Sequence, residues 1–296
     1  MVLKELALLR GVSGNEGAVR DYILKKIAPF ADDLRVDRIG NVIAFRRARL
    51  QGEKRHALIC AHMDEVGLIL TGINDTGLLS YRTVGSIDER TIVSKRVKIG
   101  DRQIPGVIGA KAIHLQTEEE FKKVLTHDQL YLDKAATDKA AAEKLVSPGD
   151  YISFDSDWVE FGESMVKCKA LDDRAGCMTL LSVLEGDYPC DLTCVFSVQE
   201  EVGCRGAQVA GYQIKADCAL ILEATGANDL GDVPEHLRVC DVGGGAAISF
   251  MDNASIGHRG LTRALRSLAQ RNQIPWQVKR YVSGGNDSAG LQTANG

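Results

Sequence analysis

Apolar positions in the first 66 residues follow two different periods. Val19, Tyr22, Ile23 and Ile27 recur at helical spacing, and we interpret the polar cluster at 13–16, Ser-Gly-Asn-Glu, as a capping box that starts the first helix. Two strand-like runs then flank Gly40-Asn41, as in a hairpin. The run "HALICAHMDEVG" that follows predicts a buried strand ending in polar residues.

Between about Gly67 and Trp158 the pattern changes to short strand-like runs that are broken by Gly and Asp. Such spacing is typical of a small β-rich unit. Two polar helical pieces fall in its later part, at 118–125 and 138–146, and the strand "YISFDS" follows Pro148-Gly149. We therefore predict that residues 67–158 form an inserted domain resembling a small β-barrel.

From residue 159 onwards helical and strand-like segments alternate. A helix is predicted after Asp173, and others near Ala207 and over 262–271, between the strands "LTCVFSV", "CALILEA" and "QVKRYV". This order predicts an α/β fold, with a central mixed sheet that has helices on both faces. Residues 1–66 and 159–296 would form that domain.

Composition removes several classes of function. Apolar residues make up 45% of the 296 positions, enough for a large core, and the formal charge of -4 leaves no basic surplus for nucleic acid. Apolar runs are far shorter than the roughly 20 residues of a membrane-spanning helix, and "MVLKELALLRG" lacks a signal-peptide core. We expect a cytoplasmic protein with no nucleic-acid or membrane partner.

Eight cysteines are scattered without any C-x-x-C pair. Because several lie in apolar runs of a chain without a secretion signal, we interpret them as buried thiols and not as disulfides. Cys204 lies close to a pair of glutamates and could instead be a reactive thiol, but no histidine is near it in the sequence.

Side chains that can bind metal occur where predicted strands end or helices begin. They are His62 and Asp64 in "AHMDEVG", Asp172 and Asp173 in "ALDDRAG", Glu200 and Glu201 in "VQEEVG", and Glu223 in "LILEATG". In open α/β sheets the carboxyl ends of the strands line one crevice, so these residues can converge. One histidine with several carboxylates suits a catalytic zinc or similar divalent ion.

Each of these residues also has a purely structural interpretation. An isolated His62 could be a hydrogen-bonded core residue, Asp172-Asp173 could cap the helix that begins "RAGCMTLL", and Glu223 could be a solvated strand end. Their joint occurrence at strand ends, with two adjacent carboxylates among them, favours a functional site.

Five segments in this order resemble metallo-aminopeptidase family forty-two of clan MH, which includes glutamyl and deblocking aminopeptidases and the tetrahedral, twelve-subunit peptidases. They are "AHMDEVG", "KALDDRAG", "VQEEVGCRGA", "GDVPEH" and "SGGNDSAG", and they span essentially the whole chain. The resemblance implies an α/β exopeptidase domain with an inserted, barrel-like assembly domain. It also implies peptide substrates and a homo-oligomer, up to a dodecamer.

The resemblance further assigns roles to individual residues. It implies two divalent ions per subunit, zinc or cobalt, with Asp172 bridging them, His62 and Glu223 completing one site and Glu201 binding the second ion. Glu200 would be the general base, and Asp64 would orient the His62 imidazole. Together these roles would explain why two glutamates stand side by side: one holds a metal while its neighbour takes a proton from water.

The family pattern continues past "SGGNDSAG" into an Arg-Tyr-x-His-Ser strand whose histidine completes the second metal site. This leads us to expect that the chain is cut short, and that it binds one ion firmly and a second poorly unless His236 or His258 replaces that histidine. Two other functions stay open: a non-catalytic subunit of the same fold, and a glycoside hydrolase that uses the paired carboxylates.

Overall fold

The computed structural model describes residues 2–52 and 55–294. The helices are α1 (Val2–Leu8), α2 (Gly17–Ile27), α3 (Glu118–Phe121), α4 (Lys139–Glu143), α5 (Leu171–Glu185), α6 (Arg205–Gln213), α7 (Arg259–Arg271) and α8 (Asp287–Ala294). The strands are β1 (Asp33–Val36), β2 (Val42–Arg46), β3 (His56–His62), β4 (Gly67–Ile73), β5 (Leu79–Val84), β6 (Arg96–Ile99), β7 (Ile104–Gly109), β8 (Tyr131–Asp133), β9 (Tyr151–Phe154), β10 (Val159–Phe161), β11 (Met165–Lys167), β12 (Asp191–Ser197), β13 (Cys218–Ile221), β14 (Ala246–Ile248) and β15 (Trp276–Val278).

The central sheet has five strands in the order β1-β2-β12-β3-β13. Strands β12 and β13 run parallel to β3 on its two sides, whereas β1 and β2 run antiparallel to their neighbours. The sheet is therefore mixed, as predicted, and β3 ends between two strands that end at the same edge. That edge is where an open α/β sheet presents its crevice.

Helices cover both faces of this sheet, which confirms the predicted fold class. On one face α1, α2 and α5 pack against β2, β3 and β12, and on the other α6 and α8 pack against the same strands. Strand β12 shows why: Leu192, Cys194 and Phe196 lie in the first core, whereas Val195 between them lies in the second. Alternating residues of a strand point to opposite faces, so a strand covered on both sides is apolar throughout.

The start of the chain differs from the sequence prediction. Helix α1 precedes the expected first helix and buries Leu6 in the core. The predicted capping box at 13–16 is wrong, because α2 has Glu16 at its N-cap position and no side-chain cap hydrogen bond. The Ser13 hydroxyl donates instead to Asp64, 51 residues later, at 2.6 Å, and the Glu16 carboxylate accepts from the Gly14 amide.

A closed six-stranded barrel forms from β4, β5, β8, β7, β6 and β9, in that order around the ring. Its core is built by apolar residues at alternating strand positions, such as Leu68, Leu70, Val97 and Ile99. All six strands fall inside the predicted insert at 67–158, and the two predicted helical pieces form the shorter α3 and α4. The domain boundaries at 66 and 159 stay a prediction.

Near its C-terminal end the chain departs from the expected single sheet. Of the predicted strand "QVKRYV" at 277–282, only Gln277 and Val278 lie in β15, which pairs in parallel with β14 in a separate two-stranded sheet. Strand β13 is consequently the edge of the central sheet, and α8 packs against α6, with Gly290 close to the Cys204 carbonyl. Alternating elements alone did not distinguish a sixth central strand from a satellite sheet.

All eight cysteines are free, in agreement with the absence of disulfides, but they are not all buried. Cys60, Cys177, Cys194 and Cys240 are buried, whereas Cys218 is exposed. Between residues 2 and 294, leaving aside 53–54, no helix is long and apolar enough to cross a membrane.

The turn between β1 and β2 carries Asn41, whose buried side-chain amide is hydrogen-bonded to the backbone around the glutamate turn. The side-chain oxygen of Asn41, Oδ1, accepts from the Val198 backbone amide at 3.0 Å. The side-chain nitrogen, Nδ2, donates to the Gly206 carbonyl at 2.9 Å and to the Asp37 carboxylate at 2.8 Å. Val198 ends the strand-like run before the glutamate pair. Asn41 thus fixes the backbone on both sides of Glu200 and Glu201.

Replacing Asn41 by alanine is therefore expected to destabilise the fold. The buried Val198 amide would lose its acceptor, and an unsatisfied buried group costs about 1–3 kcal/mol. Urea unfolding should show a lower midpoint with an unchanged slope. The matched control is Asn272→Ala, whose exposed amide donates to Leu268 and should change the free energy of unfolding by less than about 0.5 kcal/mol. An Asn41→Ala midpoint equal to that of the control would contradict this role.

Candidate active site

The strand register brings the predicted residues to one edge of the central sheet. His62 is the last residue of β3 and pairs with Ser197, the last residue of β12. Cys60 pairs with Ile221, the last residue of β13, so Glu223 lies beyond the end of the neighbouring strand. Glu200 follows β12 by three residues. Parallel pairing on both sides of β3 is what makes these side chains converge.

His62 is almost fully buried and lies among carboxylates. Its Nε2 is 3.2 Å from Asp172 Oδ1 and 3.5 Å from Glu223 Oε1, and its Nδ1 is 3.2 Å from the backbone oxygen of Asp64. Burial lowers the pKa of the imidazole, but hydrogen bonds with Asp172, Asp64 and Glu223 outweigh it and raise the pKa well above the usual range. The ring is therefore held by acceptors on both nitrogens.

The two aspartates that follow Leu171 at the start of α5 have different roles. Asp172 and Asp173 have non-helical backbone angles, and the peptide bond between them is cis. Asp173 is buried and accepts from the Gly176 amide at 2.9 Å, which is the capping role that the sequence left open for this pair. Asp172 makes no such bond, and its side chain, 58% exposed, contacts His62. Asp172 is therefore the member of the pair that faces His62.

Asp64 connects the histidine with the glutamate pair. It is fully buried, and its Oδ1 lies 3.4 Å from His62 Nδ1. Its two oxygens also accept from the backbone amides of Glu200 at 3.0 Å and Glu201 at 3.1 Å, and from Ser13 Oγ. Burial raises the pKa of this carboxyl group, but the His62 and Ser13 hydrogen bonds outweigh it and lower the pKa. Asp64 therefore stays ionised.

The two glutamates lie in a tight turn between β12 and α6. Gln199 has a φ of +56°, and the amides of Gly203 and Cys204 both donate to the Glu200 carbonyl at 2.9 Å. This turn ends the strand alternation, so that the two adjacent carboxylates need not point to opposite faces. Burial raises the pKa of Glu200 and of Glu201 to about 7 each, although His62 opposes the shift.

Among the described residues, His62 is the one basic side chain within salt-bridge distance of the site's carboxyl groups. Within residues 2–52 and 55–294, no lysine or arginine forms a salt bridge with Asp172, Glu200, Glu201 or Glu223. The nearby Lys169 instead bonds Glu65 at 2.8 Å. Burial and the neighbouring charge of Asp172 raise the pKa of Glu223 to about 7. Carboxyl groups that outnumber the single basic side chain beside them favour a bound cation.

Among the residues that the structure describes, two groups of side chains could hold a metal ion. The first group consists of His62, Asp172 and Glu223, and the second of Glu200, Cys204 and Asp287. In each group the three residues offer one ligand atom each, and these atoms lie within 4.8 Å of one another. The first group is one imidazole with two carboxylates, the ligand set expected for zinc or cobalt. The residues present therefore fit a divalent ion.

Glu201 lies in neither group, although its amide and that of Glu200 share Asp64. The two histidines named as substitutes for a missing ligand are also outside both groups. His258 caps α7 through a bond from the Leu261 amide, and His236 lies in a short 3-10 helix at 235–237. The arrangement thus groups three of the four predicted ligands.

The structure adds two residues to which the sequence assigned no role in the site. Ser13 was interpreted as a helix cap, and no local pattern predicted its bond to Asp64. Asp287 was quoted only as part of "SGGNDSAG", yet it is buried at 1% exposure beside the Glu200 turn. An acidic residue between asparagine and serine in a glycine-rich segment was the available signal, and it was weak.

Comparisons with known proteins agree with this geometry. The M42 glutamyl aminopeptidase family matches residues 40–296. A putative aminopeptidase of Acetivibrio thermocellus is 35% identical over 298 residues, covering 100% of this chain and 86% of the relative. Most of the chain, including every candidate site residue, lies in these matched regions.

Solved structures show the same fold. Pyrococcus horikoshii TET1 peptidase, described as able to assemble into a tetrahedron or a large octahedral shell, is 32% identical with a TM-score of 0.84 over 99% of this chain and 87% of its own. A protein of Thermotoga maritima described as an endoglucanase is 36% identical with a TM-score of 0.81 over 97% of this chain and 86% of its own.

The family match covers far more than half of the chain, and it includes the strand ends that carry the histidine and the carboxylates. The resemblance inferred from the five sequence segments is thereby confirmed. The chain belongs to the M42 glutamyl aminopeptidase family, whose members are hydrolases that act on peptides.

Proposed function

We propose that this chain is a two-metal aminopeptidase that removes N-terminal residues from peptides. The observation that carries the proposal is the buried His62, within 3.5 Å of both Asp172 and Glu223, at the carboxyl edge of the sheet. Glu200, whose carboxyl group forms no salt bridge with any described lysine or arginine, follows the neighbouring strand at the same edge. Family membership supplies the reaction class, and this constellation supplies the groups that the reaction needs.

His62, Asp172 and Glu223 would hold one divalent ion, zinc or cobalt. Asp172 is the most exposed of the three and is the one we propose to share with a second ion, to which Glu201 would contribute. When bound, such ions lower the pKa of water from about 16 to about 7 and polarise a carbonyl oxygen. All other steps fall to side chains of the chain itself.

Glu200 is the proposed general base. Burial places its pKa at about 7, close to the pH at which a carboxylate can both accept a proton and return it. Its backbone is fixed by Asp64 and by the turn to Cys204, so the carboxyl group starts from a defined position. Glu200 would take the proton of the attacking water and later deliver it to the leaving amine.

Asp64 is the proposed orienting residue. It lies beside His62 Nδ1, which leaves Nε2 directed at Asp172 and Glu223. An imidazole that ligates metal through one nitrogen commonly donates from the other to a carboxylate or carbonyl, which fixes its tautomer. Asp64 offers both kinds of acceptor, its carboxylate and its own backbone oxygen.

The inserted barrel is proposed to serve assembly of a homo-oligomer. Its segment between β7 and β8 exposes large apolar side chains, including Ile113 at 70%, Leu115 at 63% and Phe121 at 64%. Clustered apolar side chains of this size usually mark an interface. A second copy of the chain is the proposed occupant, since a structural relative is described as able to assemble into a tetrahedron or a large octahedral shell. We propose that the assembled protein acts on peptides in the cytoplasm.

Glycoside hydrolysis is the second candidate, because one structural relative is described as an endoglucanase. That reaction uses two carboxyl groups about 5 to 9.5 Å apart across a sugar ring and needs no histidine among them. Here the histidine is central to the cluster. The third candidate function is a non-catalytic subunit that keeps the fold but binds at most one metal ion. The number of ions bound per chain distinguishes this subunit from the two-metal enzyme.

Glu200→Gln should keep the fold and metal content but lower turnover of aminoacyl arylamides at least about a hundredfold, because an amide cannot accept the water proton. Glu163→Gln, at an exposed position between β10 and β11, is the matched control and should retain full activity. Aryl glycosides are assayed in parallel. Activity of Glu200→Gln within a few-fold of the parent would contradict the role of Glu200 as general base. A parent protein that hydrolyses glycosides but not arylamides would contradict the proposed aminopeptidase reaction.

His62→Ala should lose about one divalent ion or more per chain, because the remaining carboxylates form a weaker, open site. His258→Ala is the matched control, since this exposed histidine lies outside both ligand groups. Elemental analysis after dialysis measures the bound metal, and circular dichroism checks that the variant is folded. Equal metal content in the two variants would contradict the assignment of His62 as a ligand.

Ile113→Asp combined with Phe121→Asp should reduce the oligomer size, because two charges would be buried in the proposed interface. Light scattering measures the mass, and the metal site, which is built by other elements, should keep its ions. Leu230→Asp, at 69% exposure outside the barrel, provides the control for an added surface charge. A double variant with the mass of the parent would show that the barrel surface is not the interface.

A further inference from the structure

A second cluster of potential ligands lies beside the proposed general base. One ligand atom each of Glu200, Cys204 and Asp287 lie within 4.8 Å of one another. None of the proposed metal ligands belongs to this cluster. Its members come from two parts of the chain, because Glu200 and Cys204 flank the turn before α6, whereas Asp287 begins α8.

Asp287 is the least satisfied member of the cluster. The side chain is 1% exposed, and its Oδ2 accepts from the Ser197 hydroxyl and, at 3.5 Å, from the Cys60 thiol. Among the described residues Oδ1 has no hydrogen-bond partner, although it is buried. A buried carboxylate oxygen without a partner carries a large desolvation cost, which a cation at this position would offset.

Cys204 is held against Glu200 by the backbone. Its amide donates to the Glu200 carbonyl at 2.9 Å, and its Sγ lies 3.5 Å from Glu200 Oε1. Helix α8 packs onto the same turn, so that an added Cβ at Gly290 would lie 2.9 Å from the Cys204 carbonyl. The thiol and the two carboxylates therefore belong to a tightly packed junction and not to a mobile loop.

The donor set decides which ions the cluster would take. One sulfur with two carboxylate oxygens suits zinc and, still better, the softer cadmium, whereas magnesium and calcium prefer oxygen alone. Burial raises the pKa of the Cys204 thiol, as do Glu200 and Asp287, so the sulfur carries its proton before the ion arrives. Binding breaks the S–H bond, forms a sulfur–metal bond and releases one proton to solvent.

We propose that Glu200, Cys204 and Asp287 form an inhibitory site for a thiophilic divalent ion such as Zn²⁺ or Cd²⁺, separate from the ions used in hydrolysis. An ion in this site takes Glu200 as a ligand. The Glu200 carboxylate, held by that ion, is then not available to accept the proton of the attacking water. Binding at the site is independent of the enzyme's reaction, whereas the inhibition rests on the proposed function of Glu200.

Cadmium is the probe, because a cadmium–thiolate bond absorbs in the ultraviolet and the other proposed ligands contain no thiol. Protein loaded with its hydrolytic ions is titrated with Cd²⁺ while ultraviolet absorbance and arylamide hydrolysis are recorded. Cys204→Ser keeps the size and the hydrogen-bonding capacity of the side chain but removes the sulfur. Cys218→Ser, at the exposed cysteine, is the matched control.

We expect absorbance and inhibition to develop at the same Cd²⁺ concentration in the parent and in Cys218→Ser. In Cys204→Ser the absorbance should fall by one thiolate equivalent, and half-inhibition, relative to that variant's own activity, should need at least about tenfold more Cd²⁺. Unchanged absorbance in Cys204→Ser would overturn the site. Cadmium–thiolate absorbance that depends on Cys204 without any loss of hydrolysis would overturn the inhibition. An inactive parent would refute the proposed function, and the absorbance would still decide the site.

Discussion

A single buried carboxylate, Asp64, ties together the parts of the chain on which the candidate site depends. It accepts from the Ser13 hydroxyl and from the amides of Glu200 and Glu201, and it lies beside His62. Those partners belong to the segment before α2, the turn after β12 and the end of β3. Since each donor would be costly to leave unpaired in the interior, the carboxylate fixes the position of all three segments at once.

The convergence of charge follows from the order of the strands. With β3 between two parallel neighbours, the residues after β3, β12 and β13 must share one edge, and four carboxyl groups with one imidazole meet there. In the folded chain the pKa of Glu200, Glu201 and Glu223 is raised to about 7, chiefly by burial. A site that holds three carboxyl groups so far from their usual pKa sacrifices stability for chemistry, and a divalent ion is the partner that would restore it.

Much of this could be predicted from the sequence because the signals are local. Strands β3, β12 and β13 are apolar runs with potential metal ligands at or just beyond their ends. The short strand-like runs of 67–158, broken by Gly and Asp, predicted a barrel that the structure contains. The errors concern contacts distant in sequence. Ser13 fits a local capping pattern, but its hydroxyl bonds Asp64, and no local pattern shows that β15 pairs with β14 and not with the central sheet.

The barrel lies against the candidate site, close to the glutamate turn. Strands β4 and β9, at its two ends, are hydrogen-bonded neighbours, so the insert leaves the sheet and returns at almost one point. It begins only three residues after Asp64, and Gly85, the residue after β5, has a φ of +83° and lies close to Glu201. An added Cβ there would lie 2.8 Å from Val66 Cγ1 and 3.3 Å from Glu201 Cβ. Because a side chain at this position would collide with Val66 and crowd Glu201, the glycine allows the barrel to lie directly against the glutamate turn.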